Sequence, residues 1–373
     1  MKKYVAIALV LVMALGCLAG CSTPKEDTVL SAEGTNISWD EFMYFLGEAE
    51  YNLTNYYQSA TGGGVDWEGT CIYDKSLTNA EWCVKEALYT AAQSCIIMSK
   101  GRSMNAEVTD EQTKSLEDNI EAIKGNYSTD EELTEALHAQ CLTMDVFKFV
   151  NNVNFTLSNV FAALYGETGE NVSDETFKKY VEENGYMTSA HILFKTTEDV
   201  EGEDGKTTTK PLSDEAKAEK KAQAEKLCAE LKAISDKDER AEKFLSVMQE
   251  KSEDPGKVQN PKGYCFTEGT MVAVYTDTTK ALKDYEISDV VESDYGYHII
   301  MRLPTTANDI DVNNQYGYTL GQMAASYDFD GVMAKWDVNG AAKFTKAYEN
   351  FDFTQFFDKD GFHYTTFAEY SAK

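Results

Sequence analysis

Two short apolar runs of strand type each carry a histidine near the middle. They are Ala190 His191 Ile192 Leu193 Phe194, inside a longer run from Met187 to Lys195, and Tyr295 Gly296 Tyr297 His298 Ile299 Ile300 Met301 Arg302. A run this apolar reads as a buried strand, so its backbone must be paired and its imidazole must find a partner in the interior. Taken alone, either histidine reads as an internal residue satisfied by its neighbours. The two together, with the text between them, constrain the middle of the chain.

The N-terminus is set aside before any fold is argued. Lys2 and Lys3 precede an apolar stretch, Val5 to Leu15, that is too short to span a bilayer and reads as a secretory signal. It ends in Leu18 Ala19 Gly20 Cys21, which looks like a bacterial lipobox, whereas Cys17 follows too closely on the bulky Leu15. Residues 1–21 are therefore expected to be a lipoprotein signal with Cys21 as the lipidated residue. The mature protein is expected outside the cytoplasm, anchored to the cell membrane by acyl chains rather than spanning it. With 63 acidic and 34 basic residues the formal charge is −29, which excludes nucleic acid as a natural partner. Beyond Cys17 and Cys21 there are six cysteines without CxxC spacing, so no metal or redox motif is expected. A Cys71–Cys83 disulfide and a set of buried free thiols both fit.

Residues 22–184 read as almost wholly helical, with a short strand at Thr28 to Ala32. Ser38 with Glu41, Thr78 with Glu81 and Ser128 with Glu131 have capping-box spacing. Behind Ser38, the series Phe42, Phe45, Leu46, Ala49, Leu53, Tyr56 lies on one helical face. Glycines 62–64 break this helix from a second at about 79–100. Further helices are expected at about 109–124, 129–140, 144–164 and 174–184.

From 185 to 304 the elements read as a strand, an acidic loop (196–212), two amphipathic helices (213–234 and 239–250) and a Pro/Gly turn region. A short strand at Tyr264 to Phe266, a helix near 274–283, and two strands around the turn Asp294 to Gly296 follow. This order, with its two histidine motifs, resembles a parvulin-type (PpiC, rotamase) peptidyl-prolyl cis/trans isomerase domain. The resemblance implies a four-stranded antiparallel sheet flanked by helices. It also implies that His191 and His298 hydrogen-bond across the floor of a site, with Ser293 beside the second. Asp254, in Lys251 Ser252 Glu253 Asp254 Pro255, matches the position facing the substrate carbonyl. Met271 and Tyr275 match the proline pocket, with Phe266 close behind. No cofactor or metal is implied; Asp309, Asp311 and Asn313 miss calcium-loop spacing because Asn314 and Leu320 stand where a glycine and a glutamate belong.

Three departures from the family pattern stand out. Tyr275 replaces the usual Phe, and its hydroxyl must either find a partner or narrow the pocket. Pro261 Lys262 Gly263 Tyr264 replaces Gly-Asp-Leu-Gly, losing a pocket leucine, and Tyr285 replaces the glycine before Glu286 Ile287 Ser288. The acidic loop (Glu198, Asp199, Glu201, Glu203, Asp204) would repel a phosphorylated target.

The helical arm is similar in arrangement to that of the extracytoplasmic foldases of the PrsA and SurA type. Residues 305–373 hold a polar connector, a helix from Leu320 to Trp336 and an aromatic stretch from Phe344 to Phe357. They are expected to return to the N-terminal helices, giving an α+β protein in which the isomerase interrupts a mainly helical chaperone domain. The implied function is a foldase acting on X-Pro bonds of exported proteins, with monomer and homodimer both open. A catalytically weak parvulin-fold chaperone and a solute-binding or scaffold lipoprotein are the alternatives.

Overall fold

The computed structural model describes residues 26–201 and 207–372; the signal and Cys21 lie outside the described residues. The chain divides into two compact units, one of Met1–Leu164 with Val332–Lys373 and one of Tyr165–Gly331.

The first unit is built on the helices Trp39–Thr61 and Asn79–Met104. Both begin in capping boxes, at Ser38 with Glu41 and Thr78 with Glu81, and the first ends at Gly62 in the left-handed region (φ 70°). The capping box expected at Ser128 is displaced by one residue. Thr129 caps the helix Asp130–His138 through the Glu132 amide, while the Glu132 carboxylate accepts from the Ser128 backbone N–H. A further capping box, Thr109 with Gln112, starts the helix Asp110–Lys124. Thr28–Ala32 is a strand, paired on one side with Thr35–Ser38 and on the other with Lys343–Phe344 from the far end of the chain.

The same long-range joining dominates the core. Trp39, Phe42 and Leu46 pack with Tyr348, Phe353 and Phe356 in one buried cluster. Trp39 sits at its centre, stacked on Tyr370 at 4.6 Å and within 6.1 Å of the rings of Phe351, Phe356 and Phe367. Its indole N–H donates to the Thr365 carbonyl at 2.9 Å. The aromatic C-terminal stretch thus has its apolar partner in the first helix. All six described cysteines are free thiols.

The second unit holds a four-stranded antiparallel sheet in the spatial order Tyr264–Phe266, Met187–Lys195, Gly296–Leu303, Val291–Ser293. The α+β architecture implied by the sequence is therefore present. Strand alternation gives the sheet two different faces. Ala190, Ile192, Phe194, Tyr297, Ile299 and Met301 face the helices Asp214–Lys232 and Lys237–Lys251 and form one core with them. Met187, Ile300 and Phe266 point the other way and pack with Tyr275 of the helix Ala273–Ala281. The two histidines belong to this second face.

Two local features differ from a plain reading of the residues. The acidic segment expected as a loop forms an antiparallel pair, Thr197–Glu201 with Thr207–Pro211; threonines at 207–209 supply the β-branched residues that favour it. Tyr285 has φ 66°, a left-handed conformation that costs an L side chain about 1–2 kcal/mol. This is the physical reason a glycine suits that turn. Here Tyr285 is held by a backbone bond to the Arg302 carbonyl (2.8 Å) and by the Lys237 ammonium 5.2 Å above its ring. The polar connector after Leu303 stays within this unit: Asp309 accepts from the Thr188 hydroxyl at 2.9 Å, and the Val312 amide donates to the Cys265 carbonyl. Among the described residues, no helix is long and apolar enough to cross a membrane.

Candidate active site

The site is assembled by strand register. His191 lies opposite Ile300 and His298 opposite Leu193, so the two imidazoles are diagonal neighbours on one face of adjacent strands. Their rings are nearly parallel, 19° apart with centroids at 5.2 Å, and their Nδ1 atoms are 3.0 Å apart. The far nitrogen of His298 lies 2.6 Å from the Ser293 hydroxyl, which sits just across the tight turn. The far nitrogen of His191 lies 2.9 Å from Asp254 Oδ2. All four polar residues expected at the site are thus joined in one hydrogen-bonded chain.

Asp254 is brought there by an unusual edge. The Tyr264–Phe266 strand pairs with the central strand only as far as Met187–Ser189, which leaves the rest of that edge open. The residues that follow the helix Lys237–Lys251 cover it. The Ser252 hydroxyl accepts from the Leu193 amide (3.0 Å), the Glu253 amide donates to the Leu193 carbonyl (2.8 Å), and the Glu253 carboxylate accepts from the Lys195 amide (2.6 Å). Asp254 then caps the turn Pro255–Val258 through the Gly256 amide. Its carboxylate is left facing His191.

The electrostatics follow from burial and contact. Burial, then the charge of the neighbouring His191, lowers His298 to about 4, against a weaker pull from Asp254. It is neutral at physiological pH. Burial works against ionisation of Asp254, but hydrogen bonds from His191, Tyr264 and the Gly256 amide outweigh it and hold the carboxyl well below its ordinary value. The anionic Asp254 at one end requires a proton on His191 Nε2, which donates to it, and the neutral His298 shares one hydrogen bond with His191 Nδ1 and one with the Ser293 hydroxyl. The Tyr295 amide closes the chain on Ser293 at 3.1 Å.

The apolar part adjoins this chain. Phe266 is fully buried, Tyr275 is 4% exposed, and Met271 packs half-buried against the cluster they belong to. The Tyr275 ring meets His191 edge-on at 5.1 Å. Its hydroxyl pairs with Ser189 Oγ at 2.9 Å, and the Thr279 hydroxyl donates to the same oxygen. The extra hydroxyl has therefore found an internal partner beside the sheet. Ser189, Thr279 and Tyr264, whose phenol donates to Asp254 Oδ2, are site residues that residue pattern alone did not single out. The one available signal was period two along the strand, which sets Ser189 on the same face as His191.

An acid, two paired imidazoles, a hydroxyl and an apolar cluster are thus brought together on one face of the sheet. Residues 191–303 match the rotamase family, described as the PPIC-type PPIASE domain. The chain accordingly contains a PPIC-type peptidyl-prolyl cis/trans isomerase domain. As a whole it is similar to foldase protein PrsA: 25% identical over 303 residues to that of Geobacillus kaustophilus, covering 80% of this chain and 78% of the relative. It is 39% identical over 108 residues to PrsA of Geobacillus sp. (strain WCH70), covering 26% of this chain and 38% of the relative. The crystal structure of PrsA from Bacillus subtilis aligns with 80% of this chain and 97% of its own at 17% identity and a TM-score of 0.25.

Proposed function

We propose that this isomerase is a membrane-anchored extracytoplasmic foldase. In this reading Cys21 carries the lipid, the helical unit shields unfolded exported proteins, and the rotamase domain turns their X-Pro bonds. Rotation about such a bond must cross a barrier of about 18–20 kcal/mol set by amide conjugation. A site lowers it by binding the twisted, less conjugated amide better than the planar one, with no covalent step. The observation that carries the reading is the chain Ser293–His298–His191–Asp254 beside Met271, Phe266 and Tyr275. His191 and His298 hold the frame, Asp254 faces the carbonyl, and Met271 with Tyr275 seats the proline ring. The name of the relatives, foldase, supports folding proteins as clients.

A second reading, a parvulin-fold chaperone with little turnover, is favoured by one observation. Phe266 and Tyr275 keep nearly all their surface buried, which leaves Met271 to meet the proline. Refolding of a protein whose slow phase is prolyl isomerisation separates the two. The foldase reading expects the slow phase to accelerate and aggregation to fall; the second expects only the fall. Deleting residues 185–304 removes the acceleration and leaves the suppression of aggregation, and loss of both on that deletion contradicts a chaperone role for the helical unit. Cys21→Ala is expected to move the protein from the membrane fraction to the medium, and an unchanged membrane fraction contradicts the lipid anchor.

A further inference from the structure

We infer that Tyr264 is a positioning residue of the isomerase site, its phenol holding the Asp254 carboxylate against His191 and so determining which ring nitrogen of His191 carries the proton. The inference rests on the functional reading of Asp254 and His191 given above. Asp254 Oδ2 accepts from two donors, the Tyr264 hydroxyl and His191 Nε2, while Oδ1 accepts from the Gly256 amide at 3.0 Å. With three donors on one carboxylate, its orientation is fully specified and it is kept anionic. The Tyr264 ring is itself fixed, buried against Phe266 and Tyr275 and edge-on to His191 at 5.6 Å.

A second observation shows that this contact is built into the backbone. A Cβ placed on Gly256 would fall on the Tyr264 phenol oxygen and close to the Asp254 carboxylate. Gly256 has no left-handed conformation to account for it. Its lack of a side chain makes the space through which the phenol reaches Asp254. Tyr264 stands in the segment Pro261 Lys262 Gly263 Tyr264, where this chain departs from its family pattern. The altered turn that removes a pocket leucine thus supplies a new donor to the acid of the site.

Every charge near Asp254 bears on the test. His191 and Tyr264 touch it, with His298 and Tyr275 behind them. Glu253 precedes it, paired with Lys220, and the Lys257 ammonium is bonded to the Ser252 carbonyl. Substituting Tyr264 leaves all of these in place. An anion that loses one of its charge-assisted donors is oriented less firmly, so its hold on the proton at His191 Nε2 weakens.

The test uses the protein with its signal removed, a proline-containing tetrapeptide as substrate, and two variants, Tyr264→Phe and Gly256→Ala. kcat/KM is measured for each protein, with near-UV circular dichroism reporting folding, and the ring nitrogens of His191 are observed by NMR. Tyr264→Phe is expected to lose about threefold in kcat/KM, with weakened protonation of His191 Nε2. Gly256→Ala, which pushes the phenol away, is expected to do the same. A kcat/KM equal to wild type, or one lowered with unchanged His191 nitrogen signals, overturns the inference and leaves Tyr264 as packing. If the wild-type protein shows no turnover, the functional reading is overturned instead. The His191 signals of the two variants then decide the role of Tyr264: weakened Nε2 protonation supports it and unchanged signals overturn it.

Discussion

Trp39→Ala is expected to cost the first unit about 4–8 kcal/mol, a large share of its stability. Truncating a buried tryptophan typically costs about 3–5 kcal/mol, and removing the indole N–H also leaves the half-buried Thr365 carbonyl without its donor, at about 1–3 kcal/mol. Against a total stability of about 5–15 kcal/mol for a domain, that is a large share. The effect is large because Trp39 is the hub through which the C-terminal aromatics reach the first helix. Tyr348, Phe351, Phe353, Phe356, Phe367 and Tyr370 all lie within 6.1 Å of it, ring to ring. Urea unfolding followed by circular dichroism, with limited proteolysis of residues 343–372, measures it. Trp39→Phe, which keeps an aromatic body but loses the hydrogen bond, is expected to cost less than half as much. A Trp39→Ala midpoint equal to that of wild type contradicts the account of this core.

The second large effect is on pH. His298 is lowered from 6.5 to about 4 in the folded protein. Between those values the unfolded chain takes up a proton that the native site refuses, so the unfolded state binds more protons and is favoured as pH falls. The stability associated with His298 is fully present above about pH 6.5 and is lost progressively down to about pH 4, a loss of about 3 kcal/mol. Asp254, also depressed, adds its own loss only below its ordinary range near 3.8. Chemical denaturation at pH 7 and pH 4.5 is expected to show most of the His298 term. The His298 ring protons are expected to remain those of neutral imidazole at pH 5.5. A His298 that titrates near 6.5 contradicts the buried, hydrogen-bonded site described here.

Much of this molecule is legible along its sequence because its signals are local. Capping boxes at Ser38 and Thr78, the one-sided apolar series from Phe42 to Leu53 and the helical order through residue 184 need only neighbouring residues to be read. The Ser128 box failed by one position because Ser128 and Thr129 are both hydroxyl residues followed three places later by glutamates, at 131 and 132. Only the geometry of the turn selects between them. The site was legible in its histidines, which lie in strands whose apolar pattern fixes their face.

What stayed hidden is what depends on meetings between distant elements. The Tyr264–Asp254 contact requires both the short edge strand and the covering of the open edge by Ser252 and Glu253, neither of which has a period or motif. The Ser189–Tyr275 pair resolves the question raised by the Tyr275 hydroxyl, yet it joins residues 86 positions apart. The pairing of Thr197–Glu201 with Thr207–Pro211 was masked by acidic and glycine content, which is poor in the alternation that marks a half-buried strand.

The central claim is that a braced imidazole pair supports prolyl isomerisation at Asp254 and Met271. Prolyl isomerisation of a short proline peptide by the protein with its signal removed tests it most directly, with Asp254→Ala and Met271→Ala measured beside it. Wild type is predicted to accelerate the reaction well above buffer, with Asp254→Ala losing about tenfold to a hundredfold in kcat/KM and Met271→Ala losing affinity for the proline peptide. Wild-type rates at buffer level, or rates unchanged by both substitutions, would contradict it.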